Sequence, residues 1–420
     1  MSIAALSLLA LFVVIIASCI MPKLNPGLLA LIAALIIGQQ VGDMSIKAVL
    51  SGFPSDLFLL LLVVCLVFGI AQANGTLELL TQKLVQLIHG KVLLLPVLFF
   101  LASFFLSAIG PGNIAAVALL ASVAMSVAAN YRLSFLLMAI MICTGANAGA
   151  LSPLAPTGIV ASGLMQAIGL TESSLSWVVF VSAALLQAIT AGVAYAIFLI
   201  RRSRRKSSVP TETVSMHAVP IKATKVHYLT LLIIGAMILA VTALEAPLVL
   251  AALIASVVMV IAQLGDTEEV LKEIPWSTTL MVCGIAVLIG LMEKTGGLDL
   301  ATTIIATITK PHFINAALAG ITGLISAFSS SSGVVMPAFI PLIPGLAAKM
   351  GITELVDMVI AVSVGSHMVD VSPLSTLGAL ALAAIPIQAQ RKRVFKGLLA
   401  WGMSMAFVGA GIAYVFLDLA

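Results

Sequence analysis

Charge is scarce in this chain. Only 9% of its 420 residues are Asp, Glu, Lys or Arg, while 62% are hydrophobic; a soluble domain carries about 25% charged residues. That excludes a water-soluble enzyme or binding module. The net charge of +4 is modest and concentrated between apolar runs, so it reports membrane topology and gives no sign of a nucleic-acid partner. Cysteine is also sparse. Cys19, Cys65, Cys143 and Cys283 sit singly inside apolar runs without ligand spacing, so they read as small packing residues and imply no disulfide framework. The motifs His-Glu-x-x-His and Gly-x-Ser-x-Gly are missing, as are paired acids within the apolar runs. The parts of an intramembrane enzyme are therefore lacking, and the chain is expected to be neither an enzyme nor the holder of an organic cofactor.

What is present is lipid-soluble and duplicated. Runs of about 20 apolar residues recur throughout, each long enough to span a bilayer as a helix. The first, 3–21, has no basic segment before it and reads as a retained helix, not a signal peptide. Pro54, Gly69 and Gly75 recur 221 positions later as Pro275, Gly290 and Gly296. Gly145, Ser152, Pro153, Leu154 and Gly158 recur 220 positions later as Gly365, Ser372, Pro373, Leu374 and Gly378. Two related halves in a very apolar chain are the mark of a secondary transporter.

Each half reads as five crossings and one re-entrant hairpin, giving an all-α polytopic membrane protein. The N-terminal repeat, 1–200, has crossings at 3–21, 26–42 and 56–73, an interfacial amphipathic helix at 78–89, a hairpin at 92–130, a broken helix at 133–165 and a last crossing at 173–200. The C-terminal repeat, 227–420, has crossings at 227–245, 247–264 and 277–293, a hairpin at 312–349, a broken helix at 354–386 and a crossing at 394–417. Two full crossings in place of each hairpin are the alternative. Between the repeats lies a basic linker, 201–226, which opens with Arg201, Arg202, Arg204, Arg205 and Lys206. The positive-inside rule puts that linker in the cytoplasm. Five crossings then leave both termini outside and place Lys23, Lys83, Lys91, Arg132 and Arg391–Lys396 inside. An odd count per half makes the repeats inverted. Trp177, Trp276 and Trp401 fall near span ends, as interfacial anchors do.

Four polar segments interrupt the apolar pattern at membrane depth. Two are hairpin tips, 107–113 and 326–333; two are helix breaks, 144–158 and 365–376. Proline removes a helical donor and glycine lets the backbone leave helical angles, so main-chain groups are freed there. In lipid each such group costs several kcal/mol unless it binds something. Freed amides at helix N-termini suit an anion, and freed carbonyls beside Ser, Thr and Asn oxygens suit a hard cation such as sodium. The four segments hold no Arg or Lys, so an acid would be held by amides, hydroxyls and co-bound cations. His367 and Asp370 are their only ionisable residues. Asp370 either ligates a cation, carries a proton or caps the broken helix; His367 either titrates near neutral pH or faces a wet vestibule.

These residues resemble a known family. Lys23-Leu24-Asn25-Pro26-Gly27-Leu28-Leu29-Ala30, Gly52-Phe53-Pro54 and Phe68-Gly69-Ile70-Ala71-Gln72-Ala73-Asn74-Gly75-Thr76-Leu77 resemble the N-terminal region of MatC-type dicarboxylate (malonate) carriers. Over most of its length the chain is similar to the ion transporter superfamily, including the divalent anion/sodium symporters, which carry a Ser-Asn-Thr signature at each tip and a broken helix after it. Only Asn113 of that signature stands at the first tip, with Ser107 upstream; Ser330-Ser331-Ser332 takes its place at the second, with Ser326 upstream. The resemblance implies inverted repeats, a scaffold with an elevator-type transport domain, and a homodimer.

The expected function is sodium-coupled transport of a small dicarboxylate, malonate-like or C4, by alternating access across the cytoplasmic membrane. Proton symport and anion exchange stay open. The substrate candidates are Asn113, Gly112, Ser331, Ser332, Gly333, Pro153, Thr157, Ser375 and Thr376. The cation candidates are Ser107, Asn113, Gly145, Asn147, Ser326, Ser330, Ser331, Gly365 and Asp370, with no metal beyond sodium. Competing readings are a sodium/proton antiporter or inorganic-anion permease of the same superfamily, a channel, and an intramembrane enzyme.

Overall fold

The computed structural model describes residues 2–21, 24–86, 92–204, 222–244, 246–274 and 276–419. Among these residues every regular element is helical, so the all-α reading holds. The same order of elements runs twice. Ile3–Ile20, Pro26–Gln40, the short helix Ile46–Leu50, Ser55–Ala73 and Thr76–Gln86 recur as Lys225–Ala243, Leu248–Ile261, Thr267–Glu273, Trp276–Thr295 and Gly297–Ile308. The first hairpin has arms Leu95–Ala108 and Gly112–Asn130. Its counterpart has arms Ile314–Ser326 and Ser331–Met350, the latter opening with a π-helical turn. The first broken helix is Phe135–Ala150 with Pro156–Ala167; the second is Leu355–Val369 with Thr376–Ala383. Each half closes on a long helix, Ser173–Arg204 or Gln388–Ala413.

Local chemistry sets these boundaries. The Asn25 side chain accepts from Gly27 N at 2.9 Å, with Pro26 in the first turn, the usual polar cap and proline opening of a helix. Ser45 and Asp266 cap the two short helices in the same way. After Ser55–Ala73 and after Trp276–Thr295 the chain turns through a left-handed glycine, Gly75 (φ 79°) and Gly296 (φ 76°), an angle that costs any side-chain-bearing residue energy. In the second half this turn bends the helices by 85°.

The halves are built into each other. Ser55–Ala73 packs on Leu248–Ile261 and Thr267–Glu273 of the other half, and Trp276–Thr295 packs on Pro26–Gln40 and Ile46–Leu50. That second contact is backbone on backbone. A Cβ at Gly27 would lie 2.0 Å from Leu280 O, and one at Gly284 2.0 Å from Gly27 O. Polar clasps match across the halves as well. Asn74 Nδ2 donates to Thr230 Oγ1 (2.9 Å) and Leu264 O (3.0 Å), and its counterpart Thr295 meets Ser7 Oγ at 3.2 Å.

Several expectations are adjusted. The amphipathic helix begins at Thr76 and is described to Gln86; the remainder of 78–89 lies outside the described residues. So do most of the linker (205–221), Lys23 and Lys91. The two short helices, Ile46–Leu50 and Thr267–Glu273, add to the expected elements. The last helix starts at Gln388, not 394, so its basic residues lie on helix. Arg391 reaches back to Ile385 O (3.0 Å) and Ala383 O (3.1 Å), carbonyls that the end of the preceding helix leaves over. Trp401 is half-buried and its indole Nε1 has no partner, which is not how an interfacial anchor sits.

By length and composition, five helices among the described residues can cross a membrane, or six if the bent pair counts as one span; the others are shorter apolar helices. The second hairpin arms, Gly112–Asn130 and Ser331–Met350, are two of the five. The first arms, Leu95–Ala108 and Ile314–Ser326, are shorter, at 14 and 13 residues.

Candidate functional site

Two close helix crossings build the site. A Cβ at Gly145 would lie 2.3 Å from Phe100 O, and one at Gly365 would lie 2.5 Å from Ala319 O. Phe100 and Ala319 are equivalent positions in the two hairpins, so each broken helix is pressed against the first arm of its own hairpin at the same place. Hydroxyls fix both crossings. Ser103 Oγ donates to Ile142 O at 2.8 Å, and its counterpart Thr322 Oγ1 lies 3.5 Å from Val362 O.

The breaks are also duplicates. Leu154 N and Leu374 N donate to Ser152 Oγ (3.4 Å) and Ser372 Oγ (3.3 Å). Ala155 N and Ser375 N donate to Ser152 O (2.9 Å) and Ser372 O (3.0 Å). Gly158 and Gly378 stand where a Cβ would fall 1.9 and 2.1 Å from Ser152 O and Ser372 O. The Ser-Pro-Leu repeat is therefore a tight turn that only glycine can close.

At the first tip the chain turns through Gly110 (φ 140°) and Gly112 (φ 82°). Asn113 Nδ2 donates to Asn147 Oδ1 at 3.0 Å, and Asn147 Nδ2 donates to the His367 carbonyl at 2.9 Å. Asn147 is fully buried. Asn147 and His367 are separated by 220 residues, the repeat offset, so the two breaks touch at equivalent positions. One chain of amides thus runs from the first tip through the first break to the second break.

At the second tip the hydroxyls of Ser326 and Ser331 donate to Asp370 Oδ1 at 2.9 and 2.7 Å and lie 2.5 Å from each other. Ser331 Oγ is also 3.3 Å from the Ser366 carbonyl. All three residues are buried. Ser330 Oγ accepts from Gly333 N at 3.1 Å and caps the second arm. Both tips lie against a long helix of their own half. A Cβ at Gly110 would enter the Phe68 ring, and one at Gly333 would lie 3.0 Å from Met281 Cε.

The structure therefore brings together Asn113 with Asn147, and Ser326 and Ser331 with Asp370. Gly112 sits beside Pro156, where a Cβ would be 3.1 Å from its Cδ. Ser375 Oγ is engaged within its own break, on the carbonyls of Asp370 and Ser372. Pro153 is half-buried, Thr157 buried, Ser332 half-buried and Thr376 exposed; no side-chain bond joins them to a tip. Among the described residues of the hairpin tips and broken helices, three buried side-chain polar atoms have no partner: Ser107 Oγ, Ser363 Oγ and His367 Nε2. His367 Nδ1 lies 2.7 Å from Ser363 O; a carbonyl can only accept, so Nδ1 carries the proton. The Ser366 carbonyl and the Phe68 and Met281 contacts escape a sequence reading. The Asn147–His367 contact had a signal, the shared repeat position.

A buried polar centre held by broken helices in an apolar helical protein is the architecture of a membrane transporter. The fold agrees. The YdaH transporter of Alcanivorax borkumensis, a protein described as having an unusual topology, superposes with a TM-score of 0.58 over 91% of this chain and 89% of its own, at 17% identity. Residues 1–150 match the family described as the N-terminus of the dicarboxylate carrier protein MatC. No curated protein matches this chain. With several helices long and apolar enough to cross a bilayer among its described residues, the chain is a multi-pass membrane protein.

Proposed function

We propose that this protein is a secondary active carrier of small dicarboxylates of malonate or C4 size, coupled to sodium. One observation carries the reading: the amide chain Asn113–Asn147–His367 O, which ties a tip, its break and the opposite break into one polar centre. The substrate would lie between the tips and the breaks, held by Asn113, Ser331, Ser332, the amides after Gly112 and Gly333, and the turns at Pro153, Thr157, Ser375 and Thr376. Freed amides and hydroxyls replace the missing arginine. Moving a dianion into a negative cell costs about 2.3 kcal/mol per charge per 100 mV, which is why cations must travel with it.

The doubled element order and the exchanged helix partners support two inverted repeats, 1–200 and 227–420. In this reading 92–130 and 312–349 are re-entrant hairpins that move with the broken helices. The helices that contact across the repeats form the scaffold of an elevator-type homodimer in the cytoplasmic membrane, with the linker inside and the termini outside.

Reconstituted vesicles with a panel of labelled dicarboxylates and separate sodium and proton gradients test this. Saturable uptake with counterflow is expected, and Asn113→Ala and Ser331→Ala should each abolish it in folded protein. Wild-type uptake in both variants would remove the tips from the mechanism. Proton release by imposed sodium gradients, without dicarboxylate movement, would favour a sodium/proton antiporter, a reading that the buried Asp370 keeps alive.

A further inference from the structure

The two repeat-related centres are not equivalent, and they differ in charge. In the second half Asp370 Oδ1, Ser326 Oγ, Ser331 Oγ and the Ser366 carbonyl converge. The equivalent positions in the first half are Ala150, Ser107, Gly112 and Ala146, leaving a single side-chain oxygen. The first half's amides are already committed, Asn113 to Asn147 and Asn147 to the His367 carbonyl.

Asp370 is buried, and its side-chain partners are two hydroxyls with no basic residue among them. A carboxylate so placed is costly unless a countercharge joins it. The two hydroxyls also lie 2.5 Å from each other and Ser331 Oγ lies 3.3 Å from the Ser366 carbonyl, so the oxygens of all four residues crowd one point. A cation seated among these oxygens supplies the countercharge. The donor set is all oxygen with one negative charge, which suits a hard monovalent ion.

We propose that the second half alone binds the coupling ion: one sodium per chain, with Asp370 as its charged ligand and Ser326, Ser331 and the Ser366 carbonyl as neutral ones. The inference rests on the reading of this protein as a cation-coupled carrier. It departs from a symmetric arrangement with one ion in each repeat.

The test is equilibrium binding of ²²Na⁺ to the purified full chain in nanodiscs, with sodium-dependent thermal stabilisation as a second readout. The wild type should bind one sodium per chain with a Hill coefficient near one. Asp370→Asn should lose saturable binding and the sodium-induced stabilisation. Ser326→Ala should weaken binding by about tenfold, because it removes one neutral ligand of the ion and the hydroxyl beside Asp370. Should Asp370→Asn fail to fold, the wild-type count and Ser326→Ala decide. Two sodium ions per wild-type chain, or wild-type affinity in either variant, overturns the proposal. So does wild-type protein that binds no sodium yet accumulates dicarboxylate on a proton gradient, an outcome that leaves the carrier reading standing. The carrier reading fails separately, if no dicarboxylate is moved under any gradient.

Discussion

The contact between Asn113 and Asn147 lends itself to a double-mutant cycle. Asn147 is fully buried and makes two bonds, one received from Asn113 Nδ2 at 3.0 Å and one given to the His367 carbonyl at 2.9 Å. In membrane proteins such bonds average about 0.6 kcal/mol and reach about 1.7, because the unfolded chain in lipid also finds partners. Asn147→Ala removes two and should cost about 1–3 kcal/mol. Asn113→Ala removes one and should cost about 0.6–1.7 kcal/mol. The double variant should fall short of the sum by the energy of the shared bond, again about 0.6–1.7 kcal/mol. Equilibrium unfolding in mixed micelles measures all three. Costs that add to within about 0.3 kcal/mol would show that tip and break are energetically separate, and the polar centre would lose its connection.

The remaining predictions concern packing and a surface pair. Gly145→Ala and Gly365→Ala each drive a methyl into backbone of the facing hairpin arm, at 2.3 and 2.5 Å. Overpacking costs about 1–3 kcal/mol, more than the gain of about 1 kcal/mol from alanine in a helix, so both should lower the unfolding midpoint; an unchanged or raised midpoint would contradict the crossing. Lys349 pairs with Asp299 at 2.5 Å, its partner largely exposed, and joins the end of the second hairpin to the helix Gly297–Ile308. Lys349→Gln should cost less than about 1 kcal/mol and lose its effect in high salt. A larger, salt-insensitive loss would mean that the pair holds the hairpin in place.

Much of the fold was legible because the repeat leaves rigid marks. Gly75 and Gly296 share a left-handed turn, and Ser152-Pro153 and Ser372-Pro373 share a break, since few residues can stand at such positions. Hidden were the features that depend on distant surfaces. Gly27 and Gly284 carry the contact between the halves, yet nothing in their neighbourhoods marks them as partners. The short helices at 46–50 and 267–273 have only a capping Ser or Asp to announce them. At the site, the offset identified Gly145 with Gly365. The comparison of Ala150 with Asp370 was equally available, but its meaning needed the serine hydroxyls in place. Ser332 and Thr376 stand out in the sequence only by position in a polar segment, and position does not fix which way a side chain faces.

In the proposed mechanism both tips and both breaks enclose one site for a dicarboxylate. A structure of the full chain at saturating malonate tests it most directly. Malonate is expected between the two tips, with its carboxylates against Asn113 and the Ser331–Gly333 turn. Malonate lodged elsewhere while Asn113, Asn147 and Asp370 stay as they are would contradict it.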